Sequence, residues 1–460
     1  MRARLPRVHP NERSGRRRAA WIGGAIAIAL ACLYLASPRR IFLDARFTLL
    51  TSESLYDHAS FDLSGYVPWI VEAAGEDPGR LPYQLTHGRR GLVGFYPFGS
   101  PLLTMPFVPL LRIAGYSSIT DGVYDAHAEL RAQALVAAAL AAFTALLVFR
   151  IARHELPDPQ SAVLALLAAL GTGLWSVASR NLWTHSWETL LTAAAWLELL
   201  RWEDGEPRRP WTLGALLSAA FWVRPTAVAT VLPITLYVLW RHRPAFPRLV
   251  AAGGLGAVLY VVLAELDWGA PVPGYFHQAS GFGGGRESLM AGVAGMLFSP
   301  GRGWAVYTPL LVGVAWGLAR RRVAAERVPL ALLATGILAV TVVLYAAWRS
   351  WWGGGGVGPR FLCALTPVAA WLGAHAWRRA REAPKGSTAR AAWIRGTAIA
   401  VLGAASIAAQ APLALDASSH LPARHRRGLP QPRTYWQLGA APQVRCWALL
   451  TRSDFDGDDG

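Results

Sequence analysis

The chain has 460 residues, of which 53% are hydrophobic and 16% are charged, and its formal net charge is +17. A soluble protein of this length needs more charged residues to cover its surface, so the composition excludes a soluble globular protein and indicates an integral membrane protein. Nearly all of the basic excess is arginine, because Lys385 is the only lysine. These arginines lie between apolar segments, as in cytoplasmic loops, so the expected partners are membrane lipids and phosphate groups, with no nucleic acid.

The apolar segments define the predicted membrane topology. Residues 1–18 form a basic N-terminus, and the apolar residues 19–37 are long enough to predict a retained first helix with the N-terminus in the cytoplasm. Further apolar segments are residues 99–115, 130–150, 161–179, 185–202, 211–240, 249–266, 304–319, 328–348, 361–377 and 392–412. Arginine-rich links that favour the cytoplasm are residues 150–154, 201–209, 241–248, 320–327 and 378–395.

All five arginine-rich links lie on the cytoplasmic side only if two of the apolar segments are not single membrane spans. Residues 99–115 are short and contain Pro101, Pro106 and Pro109, which predicts a juxtamembrane or re-entrant helix instead of a span. Residues 211–240 are too long for one span and are interrupted at Arg224-Pro225, which predicts two helices that meet at an outer tip.

The predicted fold is therefore an all-α polytopic membrane protein with about 11 transmembrane helices. The transmembrane domain covers residues 19–412. Its outer parts are a long first loop at 38–129, which carries juxtamembrane helices, and loops at 267–303 and 349–360. Residues 413–460 form a tail on the outer side.

Asp44 directly follows the first predicted helix and is the first candidate catalytic residue. A carboxylate at the edge of a membrane costs free energy unless it is paired or used. Arg39, Arg40 and Arg46 are near it in the sequence, so a structural ion pair is one interpretation. The favoured interpretation is a general base that takes a proton from a substrate hydroxyl.

Other acidic and basic residues of the outer parts have two interpretations each. Asp125 and Glu129 carry the oxygen ligands that a divalent metal such as Mg or Mn prefers, but acids are also favoured at a helix N-terminus, and this second interpretation is the stronger. His185 lies between Trp183 and Trp187. It is either hydrogen-bonded at the membrane interface or a proton carrier.

Three arginines that the topology places outside form a candidate phosphate site. Arg224, Arg302 and Arg360 each have glycine or proline beside them, so the backbone permits close approach to a ligand. Guanidinium groups bind phosphate bidentately, although single arginines also extend to lipid headgroups. The pair Trp351 and Trp352 is either a stacking surface for a sugar ring or an anchor at the membrane interface.

Several of these features together resemble the GT-C superfamily of integral membrane glycosyltransferases. They are an acid directly after the first helix, the segment Phe95-Tyr96-Pro97-Phe98-Gly99 in a long outer loop, an Arg-Pro break and a Trp-Trp-Gly loop. The sequences Ser299-Pro300-Gly301-Arg302-Gly303 and Gly358 to Leu362 are similar to bacterial multi-span members. The superfamily includes protein O-mannosyltransferases and lipid A aminoarabinose transferases.

The resemblance implies a glycosyltransferase of the bacterial inner membrane. Its donor would be a sugar linked to polyprenyl phosphate, its acceptor a lipid, glycan or protein on the outer face, and its transfer inverting. The resemblance implies Asp44 as the base or metal-linked acid that faces the acceptor and Tyr96 near the sugar, with Arg360 near the donor phosphate. A second outer motif, usually acidic in the superfamily, falls on residues 180–185.

That second motif departs from the superfamily, because it has Arg180 and His185 and no aspartate. Glu188 lies one turn further along. Arg180 is thereby a candidate phosphate ligand and His185 a candidate catalytic residue, while metal dependence and activity itself stay open. The alternatives to an enzyme are a non-catalytic transporter of isoprenoid lipids and a structural protein of envelope assembly.

Overall fold

The computed structural model describes residues 10–38, 43–74, 81–272, 275, 285–320, 323–354, 358–382, 389–415 and 436. The helices are α1 (Pro10–Ala36), α2 (Thr48–His58), α3 (Val67–Ala74), α4 (Gly99–Thr104), α5 (Val108–Ile113), α6 (Ala126–Ala152), α7 (Asp158–Leu170), α8 (Thr184–Glu203), α9 (Pro210–Val223), α10 (Val228–Arg241), α11 (Phe246–Trp268), α12 (Gly285–Phe298), α13 (Trp304–Tyr307), α14 (Leu310–Arg320), α15 (Val328–Ala346), α16 (Thr366–Arg381) and α17 (Ala389–Leu415). The strands β1 (Leu85–Gly88) and β2 (Gly91–Gly94) form one antiparallel hairpin, and β3 (Ile119–Thr120) and β4 (Val123–Tyr124) form another. Arg39, Arg40, residues 1–9 and most of the predicted outer tail lie outside the described residues.

The predicted all-α membrane architecture is confirmed in outline. Every predicted span contains an α-helix. Within the described part of the chain, the helices long and apolar enough to cross a membrane are Arg17–Ala36, Ala126–Ala152, Arg243–Trp268, Ala325–Ala346 and Trp393–Leu415. Shorter apolar helices are Asp158–Leu170, Pro210–Val223, Ser288–Phe298 and Leu310–Ala319. The total of about 11 spans therefore stays a prediction.

Prolines divide both of the apolar segments that were predicted not to be single membrane spans. Residues 99–115 form α4, the 3-10 turn Met105–Phe107 and α5, because a proline cannot donate the hydrogen bond that continues a helix. At the second segment α9 ends at Val223, and Arg224 is extended with φ −155° and ψ 115°. A residue before proline disfavours the helical conformation, so Pro225 forces this break.

A central group of helices packs around α6, which contacts α1, α7, α8 and α16. Its core contains large aromatic side chains from two of these partners. Trp196 of α8 and Trp371 of α16 are both completely buried, with ring centroids 5.5 Å apart in an edge-to-face arrangement. Such aromatic pairs add directional attraction to the area that they bury.

The first outer loop is attached to the start of α6 and to the end of α11. Glu129, in the first turn of α6, accepts hydrogen bonds from the backbone N–H groups of Leu49 at 3.0 Å and Leu50 at 3.4 Å, which begin α2. The β1–β2 hairpin is held by Arg89 N, which donates to the Asp267 carbonyl at 2.8 Å. These contacts hold the loop against the bundle.

The arginine-rich links meet at the other end of the bundle. Glu155, in the link after α6, is completely buried and contacts Arg327 Nε at 3.3 Å, His375 Nδ1 at 3.0 Å and Arg378 Nε at 3.1 Å. Further pairs that join these links are His154 with Asp204, Arg327 with Asp204, and His242 with Glu203. Tryptophans more than half exposed lie near the same helix ends, and they are Trp21, Trp211, Trp240, Trp316 and Trp393. Exposed tryptophan beside arginine is typical of a membrane interface.

Candidate active site

A cavity of about 290 Å³ opens at the end of the bundle opposite the arginine-rich links. Segments from distant parts of the chain form its wall, namely Asp44 to Thr48, Tyr96 to Phe98, Leu182 to His185, Val223 with Arg224, and Arg360 with Phe361. α6 begins beside this cavity and ends at the links, and its 27 residues rise roughly 40 Å. The cavity and the links therefore lie at opposite ends of the bundle.

Asp44 accepts three hydrogen bonds at the cavity wall. Tyr96 Oη donates to its Oδ1 at 2.9 Å, and Tyr83 Oη donates to the same oxygen at 3.3 Å. Arg360 Nη1 donates to Oδ2 at 3.0 Å, and the side chains of this ion pair are 31% exposed for Asp44 and 12% for Arg360. Burial, and then the charge of Asp44, raise the pKa of Tyr96 and of Tyr83 above the ordinary value. Both phenols therefore stay protonated and donate at neutral pH.

The turn that carries Asp44 is fixed from several sides. Gln84 Nε2 donates to the carbonyl oxygen of the preceding residue at 3.0 Å, and Gln133 Nε2 donates to that of the following residue at 2.8 Å. Glu129 accepts from the N–H of Phe47 at 3.2 Å. Phe47 has a left-handed φ of 69°, which is unfavourable for a residue with a side chain. A strained turn held by surrounding hydrogen bonds keeps Asp44 in one place.

Arg360 begins the short helix Arg360–Leu365 between α15 and α16. Its guanidinium carbon lies 5.2 Å from the ring centroids of both Trp183 and Phe361. Its Nε is buried and has no hydrogen-bond partner among the described residues. A guanidinium that is stacked on aromatic rings and has an unused N–H donor is suited to bind a second anion in addition to Asp44.

Arg224 lies deeper in the same wall and has mostly neutral partners. Its Nε donates to Tyr345 Oη at 2.7 Å and to Thr226 Oγ1 at 2.9 Å. Its Nη1 donates to Thr184 Oγ1 at 2.8 Å and contacts His185 Nε2 at 3.2 Å. Hydroxyl and imidazole partners hold the guanidinium in place, and its nearest acidic group is the Glu188 carboxyl, 3.7 Å from Nε. The wall therefore presents two arginines to the cavity.

His185 is buried beside Arg224. A guanidinium can only donate, so His185 Nε2 accepts and the neutral ring carries its proton on Nδ1. That Nδ1 lies 3.6 Å from Glu188 Oε2, which is also 3.7 Å from Arg224 Nε. Glu188 thus lies behind the wall and contacts both Arg224 and His185, while His185 itself lines the cavity.

Arg180, a predicted phosphate ligand, does not line the cavity. Its guanidinium is buried, with Nη2 donating to the carbonyl of Tyr34 at 2.7 Å and Nη1 to that of Ser37 at 3.1 Å. These carbonyls belong to the C-terminal end of α1, where helix carbonyls have no intrahelical partner. Arg180 therefore caps α1.

The residues predicted around the Trp-Trp loop lie directly behind the wall. Arg302 Nη2 donates to the Gly354 carbonyl at 3.0 Å, and Gly354 lines the cavity. Trp351 and Trp352 are buried and do not line it. Together with Arg302 they border a small adjoining space on the far side of Arg360. Arg302, Trp351 and Trp352 therefore lie behind Arg360 and do not line the cavity itself.

The two predicted metal ligands serve helix N-termini. Asp125 Oδ1 accepts from the N–H groups of His127 at 2.7 Å and Ala128 at 3.0 Å, so it is the N-cap of α6. Glu129 caps α2 and also accepts from Tyr124 Oη at 2.7 Å. The described residues contain no group of three or more His, Cys, Asp or Glu side chains that could hold a metal ion. The contacts of Asp125 and Glu129 therefore fit the helix N-terminus interpretation.

Sequence reasoning missed several cavity residues. Tyr83, Gln84 and Trp348 border the site, but each lies in a loop or helix end without a distinctive motif. Tyr345 orients Arg224 from the end of α15, only a few residues before the Trp-Trp loop. Its position in an otherwise apolar span could have marked it, because a buried phenol needs a partner.

Residues 125–268 match a family model described as dolichyl-phosphate-mannose-protein mannosyltransferase. The matched segment runs from α6 to the end of α11 and contains Arg180, His185 and Arg224, whereas Asp44 and Arg360 lie outside it. No curated protein matches the sequence. The match confirms the predicted similarity to membrane glycosyltransferases of the GT-C type. The apolar helices fit the same class.

Proposed function

We propose that this protein is a GT-C-type glycosyltransferase that moves a sugar from a polyprenyl-phosphate-linked donor to an acceptor on the outer face of a bacterial inner membrane, with inversion. The observation that carries the proposal is the cavity in which a fixed carboxylate, Asp44, lies beside Arg360 and near Arg224. A base and cationic groups within one cavity are what displacement of a phosphate leaving group requires.

In the proposed reaction an acceptor hydroxyl attacks the anomeric carbon of the donor sugar. Asp44 accepts the hydroxyl proton as the new glycosidic bond forms, and the bond from the anomeric carbon to the phosphate oxygen breaks with its electron pair. The polyprenyl phosphate leaves as an anion that Arg360 and Arg224 stabilise. A single displacement inverts the configuration at the anomeric carbon.

The contact between Asp44 and Arg360 adds a step before the chemistry. A carboxylate that is paired with a guanidinium and accepts from Tyr96 and Tyr83 has few acceptor positions left for a substrate hydroxyl. The donor phosphate would attract Arg360 and loosen its bond to Asp44. Donor binding therefore frees the base, which gives an order of binding with the donor first and the acceptor second.

Aromatic rings around the cavity supply the surface for the sugar. Trp183, Tyr96 and Trp348 line the same space as Asp44. Aromatic faces pack on the apolar faces of sugar rings, while the phenol of Tyr96 remains fixed by its hydrogen bond. Trp351 and Trp352, in this proposal, act through the loop that they support.

The proposed orientation follows from the arginine distribution. Basic links favour the cytoplasm, so the end of the bundle with Glu155 faces inward and the Asp44 cavity faces outward. The N-terminus is then cytoplasmic and the C-terminus outside. A polyprenyl donor would enter sideways from the bilayer, since its isoprenoid chain is apolar.

The test is transfer of label from a polyprenyl-phosphate sugar in membranes that contain the wild-type chain, the Asp44→Asn variant or the Arg360→Ala variant. We expect transfer by the wild type and none by Asp44→Asn, with donor binding retained. Absence of transfer from several donors, with lipid binding that still depends on Arg360, would instead favour the isoprenoid-lipid transporter. Absence of both would favour a structural role in envelope assembly.

A further inference from the structure

A second cavity, of about 610 Å³, lies at the arginine-rich end between α1, α6 and α8. Its apolar wall is formed by Ala19, Ala20, Phe149 and Leu197. Its polar edge carries three arginines, which are Arg150, Arg153 and Arg201. An apolar wall with a cationic edge matches a ligand that has an anionic head and an apolar chain.

Most charged side chains at this edge are already paired, with Arg153 Nε 2.6 Å from Asp158 and Arg201 Nη1 3.3 Å from Glu198. Arg150 is exposed and makes no ion pair with any residue in the described part of the chain. The carboxylate of Asp204 is already paired with Arg327 at 2.7 Å, and Glu206 lies 4.0 Å from Arg201. The carboxylates therefore already have cationic partners, and Arg150 in particular is available to an anion.

The position of the cavity separates it from the proposed transfer site. Phe149 is 24 residues beyond the N-cap of α6, which corresponds to roughly 36 Å along the helix. Next to the cavity on α1, Trp21 is 80% exposed, as expected for a side chain at the headgroup level. The apolar surface of α1 continues from there, with Ile28 69% exposed. Acyl chains would lie along this face.

We propose that this cavity binds one anionic phospholipid, with Arg150 and Arg201 contacting its headgroup phosphate and its acyl chains lying along α1. The anionic lipids of a cytoplasmic leaflet attract such basic clusters. Arginines that line one cavity select a headgroup, whereas scattered arginines attract the membrane surface as a whole. The proposal does not depend on glycosyl transfer.

The experiment counts lipids bound to the purified full-length protein by native mass spectrometry, with phosphatidylglycerol and phosphatidylcholine of the same acyl chains. We expect one phosphatidylglycerol to bind about tenfold more tightly than phosphatidylcholine. The double variant Arg150→Gln/Arg201→Gln should lose this preference. The matched control, Arg243→Gln/Arg248→Gln, removes two exposed arginines from another basic link and should change it less than about twofold.

A second variant keeps every charge. Ala20→Phe fills the cavity without altering an arginine and should also abolish binding of the single phosphatidylglycerol. Equal binding of the two lipids by the wild type, or equal loss in the control variant, would overturn the proposal. Displacement of phosphatidylglycerol by millimolar glycerol phosphate would also overturn it, because the site would then belong to a soluble phosphate compound.

Discussion

The two ends of the helical bundle both pair acids with arginines, but the space beside the pairs differs. Asp44 and Arg360 border a cavity and are partly exposed. Glu155 is completely enclosed by Arg327, His375 and Arg378. A pair beside open volume can exchange a partner for a ligand, whereas an enclosed pair can only hold its helices together. Similar chemistry therefore indicates a ligand site at the Asp44–Arg360 pair and a structural network around Glu155.

The largest effect that this comparison predicts is the loss of activity in Asp44→Asn. Asparagine keeps the size of the side chain but cannot accept the acceptor's proton, so kcat should fall about 10²–10⁴-fold with little change in donor binding. The measurement is the initial rate of sugar transfer, together with donor affinity in the same membranes.

The matched control is Asp57→Asn on α2. Asp57 is also an acid of the first outer loop and pairs with Arg112 at 2.6 Å, but it does not line the cavity. The hydrogen bonds from Arg112 hold the pKa of Asp57 below its ordinary value against the opposing effect of burial. Its replacement should change the rate less than about twofold. Equal losses in both variants would show that general disturbance of the loop, and not the base, explains the effect.

The opposite end should respond through stability. Glu155→Gln removes a buried negative charge that contacts Arg327, Arg378 and His375, so it should lower the free energy of unfolding by about 3 kcal/mol. Denaturant unfolding in detergent micelles measures this. The control Glu382→Gln alters an exposed acid that also contacts Arg378, and it should cost less than about 1 kcal/mol. If the two variants were equally stable, the Glu155 network would not hold the helix ends together.

Two arginines that the sequence could not distinguish provide the next test. Arg360→Gln should raise KM for the donor about 10–100-fold, because a charge-assisted contact to phosphate is lost. Arg180→Gln should leave this KM within about twofold but lower the free energy of unfolding by about 2 kcal/mol, since it leaves the carbonyls of α1 without their donor. Donor titrations give KM for each variant, and denaturant unfolding gives the free energy of unfolding. If KM for the donor rose in Arg180→Gln and not in Arg360→Gln, the donor phosphate would bind at residues 180–185 instead.

The predictions made from sequence succeeded where local chemistry decides the structure. The break at Arg224-Pro225 follows from proline, and the apolar helices follow from composition. Asp44 and Arg360 were predicted as site residues from their place in outer loops, and Tyr96 from the family resemblance. In the structure Tyr96 and Arg360 both contact Asp44, while the roles of the three residues stay predictions.

The sequence could not predict in which direction a side chain points. Arg360 and Asp44 are 316 positions apart, so their contact depends on how the helices pack. The outer ends of spans contain several arginines, and packing decides which of them face the cavity. Arg180 instead caps a helix that ends 144 positions earlier, and Arg302 holds a loop from behind. Hydropathy places all of these residues at the same level of the membrane and cannot separate their roles.

The smallest predicted effect concerns Asp125, where a helix cap and a metal ligand give different results. Asp125→Ala removes the acceptor of two N–H groups and should cost about 1 kcal/mol of stability, whereas Asp125→Asn keeps an acceptor at the N-cap and should cost little. A metal site would behave differently, because asparagine lacks the charge that a divalent cation prefers. Both variants would then weaken the dependence of transfer on Mg²⁺ or Mn²⁺. Unfolding measurements and metal titrations of the two variants separate these cases, and we expect a loss of stability in Asp125→Ala with the same metal dependence in both.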